Sequence, residues 1–151
     1  MILESILAYL HIAAILTIVV FMTSLAALCR PKWFNAEVVR RLTRVDQIYW
    51  GAWVAVVATG AARMIWGFKG LAWYAGQPLL WAKIALFVVI ALLTLPASRE
   101  LWRWRRELDA TGALPAMERV DAARRWVMIA AHLFLLIPLA AVFLARGVGT
   151  V

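Results

Sequence analysis

Four apolar stretches decide what this chain can become: roughly Ile2 to Leu28, Ile48 to Trp66, Pro78 to Ser98 and Trp126 to Leu144. Each reaches or approaches the ~20 largely apolar residues that a helix needs to cross a hydrocarbon core about 30 Å thick. A backbone amide in that core has no water to bond, so a spanning segment of this length folds as a helix. Of 151 residues, 66% are hydrophobic and the mean hydropathy is strongly positive, which makes the bilayer the solvent for this chain. The sequence therefore predicts an all-α integral membrane protein, a single four-transmembrane-helix bundle over residues 1–151. The first stretch sits where a signal peptide would, but Glu4 replaces the usual basic start and the long apolar run lacks a small-residue cleavage site. It is read as a retained helix.

The net charge of +8 matters through its placement. Arg30, Lys32, Arg40, Arg41 and Arg44 fall between helices one and two, and Arg99, Arg103, Arg105, Arg106, Arg119, Arg124 and Arg125 between three and four. By the positive-inside rule these two connections are cytoplasmic, so the N- and C-termini are expected outside. The basic face is then a topology signal and a contact for anionic lipid, and nucleic acid is not an expected partner. After Pro31, the stretch "WFNAEVVRRLTRVDQIYW" spaces its apolar residues as a short interfacial helix between helices one and two would. Asp46 and Gln47 are read as the start of helix two, where an acid offsets the positive helix end. Trp102 and Trp104 with their neighbouring arginines prolong helix three past the membrane until Gly112 and Pro115, and Pro138 is expected to bend helix four. Cys29, the only cysteine, excludes an intramolecular disulfide and a multi-cysteine metal site.

Three ionisable groups sit where oil is expected. Counting ~1.5 Å of rise per residue, His11 on helix one lies about 9–13 Å below the outer end, and Arg63 on helix two and Lys83 on helix three about 6–8 Å below it. Either the two cations snorkel to the outer headgroups, leaving His11 as a hydrogen-bonded core residue, or all three face the interior and bind an anion. No carboxylate other than Glu4, at the helix start, is near that level, so an internal cluster implies an anionic or hydrogen-bond-accepting ligand: lipid phosphate, a quinone headgroup or a carboxylated porphyrin. His132 on helix four comes out about 18–21 Å deep, offset from His11 by roughly 5–12 Å on straight helices. Neutral imidazoles are good iron ligands, and haem b in membranes is held by helical histidines, so His11 and His132 are the candidate metal ligands, with Met128 and Arg125 sharing the His132 face. Trp50, Trp53 and Trp81 suit either a flat cofactor or ordinary belt and core. Gly51, Thr59 and Gly60 are read as helix-packing residues. No glycine-rich phosphate loop, nucleophile with a paired base or carboxylate dyad is present.

The stretch "TGAARMIWGFKGLAWYAGQPLLWAKIALFVVIALLTLPASRELWRWRRE" resembles the middle of a bacterial family of predicted membrane proteins, domain-of-unknown-function family 2214, in length and four-helix layout. "YLHIAAI" around His11, with Trp81 and Lys83 early in helix three, is also similar to HemJ-type protoporphyrinogen oxidases and CopD-like membrane proteins. The HemJ resemblance implies haem b or a porphyrin in the bundle, with His11 a ligand and Lys83 a propionate or catalytic contact. Arg63 joins them by depth. The expectation is a multi-pass bacterial inner-membrane protein binding haem b or a porphyrin at His11, Lys83, Arg63 and His132, redox-active toward a porphyrinogen or quinone. The alternative is a non-enzymatic scaffold that binds anionic lipid and other membrane proteins, with a homo-oligomer among the expected partners. A small transporter fits less well, because no mid-membrane acid is available to take a cation or relay protons.

Overall fold

A computed structural model describes residues 2–67 and 69–146. Helix α1 spans Ile2–Leu28, a 3₁₀ turn covers Pro31–Trp33, and α2 runs Ala36–Trp66. The short helix α3 (Gly70–Ala75) leads to α4 (Pro78–Thr111), and α5 (Met117–Phe134) and α6 (Leu136–Ala145) complete the chain. Four helical segments, of 27, 31, 34 and 29 residues, are long and apolar enough to cross a membrane, the last being α5 and α6 together. There is no strand among the described residues. An even number of crossings puts Ile2 and Ala145 at one end, opposite the arginine-rich connections. The expectation for the C-terminus itself rests on residues 147–151, which lie outside the described residues.

Local chemistry sets the helix ends. The Asn35 side chain accepts a hydrogen bond from the Val38 amide (3.0 Å), and this cap starts α2 at Ala36, well before the Ile48 expected from hydropathy alone. The anticipated interfacial segment is thus the opening turns of α2 rather than a separate helix. Gly112 closes α4 with φ at +73°, a left-handed conformation that costs glycine little, and its amide reaches the Leu108 carbonyl at 2.9 Å. Pro138 interrupts the fourth crossing as expected: it has no N–H for the Phe134 carbonyl, and the helix breaks at Leu135. Pro96, which likewise denies a donor to the Leu92 carbonyl, lies inside an α4 assigned as one unbroken helix.

The helices form a ring in which α1 packs on α2, α2 on α4, α4 on α5 and α6, and α5 back on α1. Ile18, Leu42, Ile90, Val120 and Ala130 are buried at its centre, while Val20, Val54, Leu92 and Leu139 point outward, as expected where the surroundings are themselves apolar. Buried alanines (Ala14, Ala26, Ala52, Ala97, Ala123) allow close helix approach where no hydrophobic drive separates protein from lipid. At the arginine-rich end, Arg119 of α5 donates to Glu100 (2.8 Å) and Glu107 (3.0 Å) of α4. Arg124 of α5 donates from Nε to the Ala26 carbonyl (3.2 Å), satisfying one of the orphan acceptors at the end of α1.

Cys29, just past α1, is buried beside this contact, and burial pushes its thiol up to about 12 against the opposing charge of Arg124. At pH 8 its thiolate fraction is then roughly 10⁻⁴, so a thiol-alkylating reagent should label it only after unfolding in sodium dodecyl sulfate. Rapid labelling of the native protein in mild detergent would mean that α5 does not cover the end of α1.

Candidate functional site

The first polar site lies between α1 and α2 at the end away from the arginines. His11 is buried, and its Nδ1 is 2.9 Å from Thr59 Oγ1. The Thr59 hydroxyl has a single hydrogen, which it gives to the Ala55 carbonyl at 2.6 Å. Its oxygen is therefore the acceptor and His11 Nδ1–H the donor, which leaves Nε2 with the lone pair of the neutral ring. Gly60 makes this approach possible, since a Cβ there would stand 3.2 Å from His11 Cε1 and 3.7 Å from Nδ1. Thr59 was expected only to pack; it fixes the histidine. Gly51, read the same way, is exposed and has nothing within 4 Å of where a Cβ would be.

Lys83 and Arg63, both half-buried, are close enough for their charges to act on His11, and Arg63 acts on Lys83. Three helices thus bring together the residues that depth alone had placed on one level. Neither cation forms an ion pair among the described residues. Arg63 Nε is buried without a hydrogen-bond partner among them. At the same end Gln77 is buried; its Nε2 donates to the Trp73 carbonyl (3.2 Å) and its Oε1 is unpartnered. His132 does not join this group: its side chain is exposed, and Nδ1–H donates to the Met128 carbonyl of its own helix at 2.6 Å. The tryptophans considered for a cofactor are engaged within the protein. Trp53 stacks on Phe87 with ring centroids 3.8 Å apart, Trp50 donates to Ser98, and Trp81 donates to the Ala75 carbonyl.

A second polar site, toward the arginine-rich end, went unrecognised in the sequence. Asp46 is 1% exposed in the third turn of α2 and faces α4. Its Oδ1 accepts from Ser98 Oγ (2.6 Å) and its Oδ2 from Trp102 Nε1 (3.0 Å), while Trp50 Nε1 donates to Ser98 Oγ (2.8 Å). One turn farther along, Tyr49 donates to Thr94 (3.1 Å). The signal was present in the spacing. Asp46, Tyr49, Trp50 and Trp53 share one helical face, and Thr94, Ser98 and Trp102 recur at every fourth position along another. Beside this network is an open cleft of ≈ 400 Å³.

Helix count, ring order and paired polar sites define a small multi-pass helical membrane protein. The chain belongs to the family of predicted membrane proteins DUF2214, which it matches over residues 3–149. No curated protein and no solved structure matches it.

Thr59→Val should leave the His11 donor without its acceptor and lower stability in detergent by about 1 kcal/mol, whereas Thr59→Ser should be close to neutral. Asp46→Ala, which strands the Ser98 and Trp102 donors together, should cost more, about 1–3 kcal/mol. Thermal unfolding of the purified variants checks the ranking, and an Asp46→Ala protein as stable as the wild type would remove the network from the account of α2–α4 packing.

Proposed function

We propose that this is a bacterial inner-membrane protein, with its arginine-rich end in the cytoplasm, that binds a carboxylate-bearing porphyrin, haem b in the first instance, at the His11 site. The observation carrying this reading is the buried His11 ring, its Nδ1 2.9 Å from Thr59 Oγ1, beside two cations that form no ion pair among the described residues. With its Nδ1 proton committed to Thr59, His11 offers Nε2, and such a second hydrogen bond is what orients a ligating imidazole. Lys83 and Arg63 would take the propionates through charge-assisted hydrogen bonds, which would also give the buried Arg63 Nε an acceptor. His11 alone would supply the iron-ligating nitrogen at this site. His132, exposed and with its Nδ1 proton committed to the Met128 carbonyl, would not share a ligand with His11. A bound haem would supply one-electron chemistry; the likeness of "YLHIAAI" and of Trp81 and Lys83 to HemJ-type oxidases makes a porphyrinogen or a quinone the redox partner to try. The chain's own part is to ligate, to neutralise the propionates and to keep the ring within the outer half of the membrane.

Purified in mild detergent, the protein should show a Soret band and a sharp reduced α band at near-stoichiometric haem. His11→Ala should abolish both, Lys83→Met and Arg63→Met should weaken haemin uptake, and His132→Ala should leave the spectrum unchanged. A colourless protein that takes up no added haemin would end the haem reading and favour the scaffold alternative, with Lys83 and Arg63 as anchors for lipid phosphate.

A further inference from the structure

The cleft beside Asp46 has a polarity gradient along the membrane normal. Its α4 side presents Leu95, Arg99, Trp102 and Arg106 at intervals that keep them on one stripe of the helix, about 16 Å long by the helical rise. Leu95 lies toward the membrane centre and Arg106 toward the arginine-rich end. On the α2 side Trp50 lies one turn deeper than Asp46, so both walls grow more apolar toward the membrane interior. Arg99 and Arg106 are exposed and, unlike Arg103, Arg105 and Arg119, form no ion pair among the described residues. Both Asp46 oxygens are already occupied by Ser98 and Trp102, so this acid shapes the back wall instead of neutralising the arginines. Two open guanidiniums against one shielded carboxylate leave the cleft net positive.

We infer that this α2–α4 cleft binds one anionic phospholipid, with its phosphate between Arg99 and Arg106 and an acyl chain along Leu95 and Trp50. Guanidinium groups match phosphate oxygens in charge and in fork geometry. The apolar continuation of the cleft into the membrane favours a phosphate that carries a hydrocarbon tail over a soluble one. The site lies at the opposite end of the bundle from His11 and does not depend on the porphyrin reading. It differs from general attraction to a basic face in using two particular arginines and a fixed stoichiometry.

Native mass spectrometry of the protein in mild detergent, with added phosphatidylglycerol or phosphatidylcholine, tests this. The expected result is one retained phosphatidylglycerol, preferred over phosphatidylcholine by about 10- to 30-fold, the scale for two basic residues at a membrane surface. Arg99→Gln combined with Arg106→Gln should abolish the preference, and Arg40→Gln, Arg41→Gln and Arg44→Gln together should preserve it. Leu95→Trp, which fills the inner end of the cleft but keeps both arginines, should reduce retention at least severalfold and covers the case of a double variant that fails to fold. No preference in the wild type, a preference lost only with the α2 arginines, equal competition by glycerol phosphate, or a lipid-free dimer would each overturn the assignment.

Discussion

Apolar side chains gain little by leaving lipid for protein, so helices in a bilayer need close packing and polar contacts to select their neighbours. In this bundle each neighbouring pair around the ring has its own polar clasp. His11 and Thr59 join α1 to α2; the Asp46, Trp50, Ser98 and Trp102 network and the Tyr49–Thr94 bond join α2 to α4; Arg119 with Glu100 and Glu107 joins α4 to α5; and Arg124 on the Ala26 carbonyl joins α5 to α1. The clasps fall into two groups by depth. The two around α2 are buried between helices, where a wrong partner would strand a donor, and those of α5 are partly exposed at the arginine-rich end, where water competes and ion pairs contribute less. The selectivity of the assembly is therefore concentrated on α2, the helix that carries one residue group of each internal site.

Much of this arrangement was legible in the amino-acid order. The long apolar runs give the crossings because length and composition alone decide whether a segment can span. Gly112 and Pro138 mark a helix end and a break for reasons local to the backbone. The grouping of His11, Arg63 and Lys83 was legible from depth, since antiparallel helices of known direction share a vertical scale. His132 was harder: depth gives the level of a residue but not the side of the helix on which it points, and it points outward. Asp46 was misread for a related reason. Hydropathy places the start of helix two at Ile48, which makes Asp46 look like a cap, whereas Asn35 begins the helix at Ala36 and turns Asp46 into a buried third-turn residue. The apolar spacing of the opening turns signalled a helix there, but only the Asn35 cap shows that this helix and the crossing are one.

Gly60 shows how one small residue can serve both packing and chemistry. Its missing side chain brings the His11 ring against α2, and the same approach places Nδ1 within reach of Thr59. An added Cβ would stand 3.2 Å from His11 Cε1, so the ring would have to yield by a few tenths of an ångström. Close contact and ring orientation are thus linked at the α1–α2 interface.

The two ends of the bundle distribute charge differently. At the arginine-rich end the carboxylates Glu100, Glu107 and Asp109 are paired with Arg103, Arg105 and Arg119, and Asp46 is held by neutral donors. These acids are matched locally, while the remaining arginines of that end outnumber its remaining acids and leave it net positive. At the other end the half-buried Lys83 and Arg63 have no acid of their own, and Arg63 Nε and Gln77 Oε1 are buried without partners among the described residues. Unsatisfied polar atoms cost most where water is scarce, so a fold that leaves them there calls for an acceptor from outside the chain, either a headgroup above or a ligand within. That demand makes the His11 end the first place to look for function: two of the three buried unpartnered side-chain atoms among the described residues lie there, beside two cations without an acid, and the third, Trp53 Nε1, lies midway along α2.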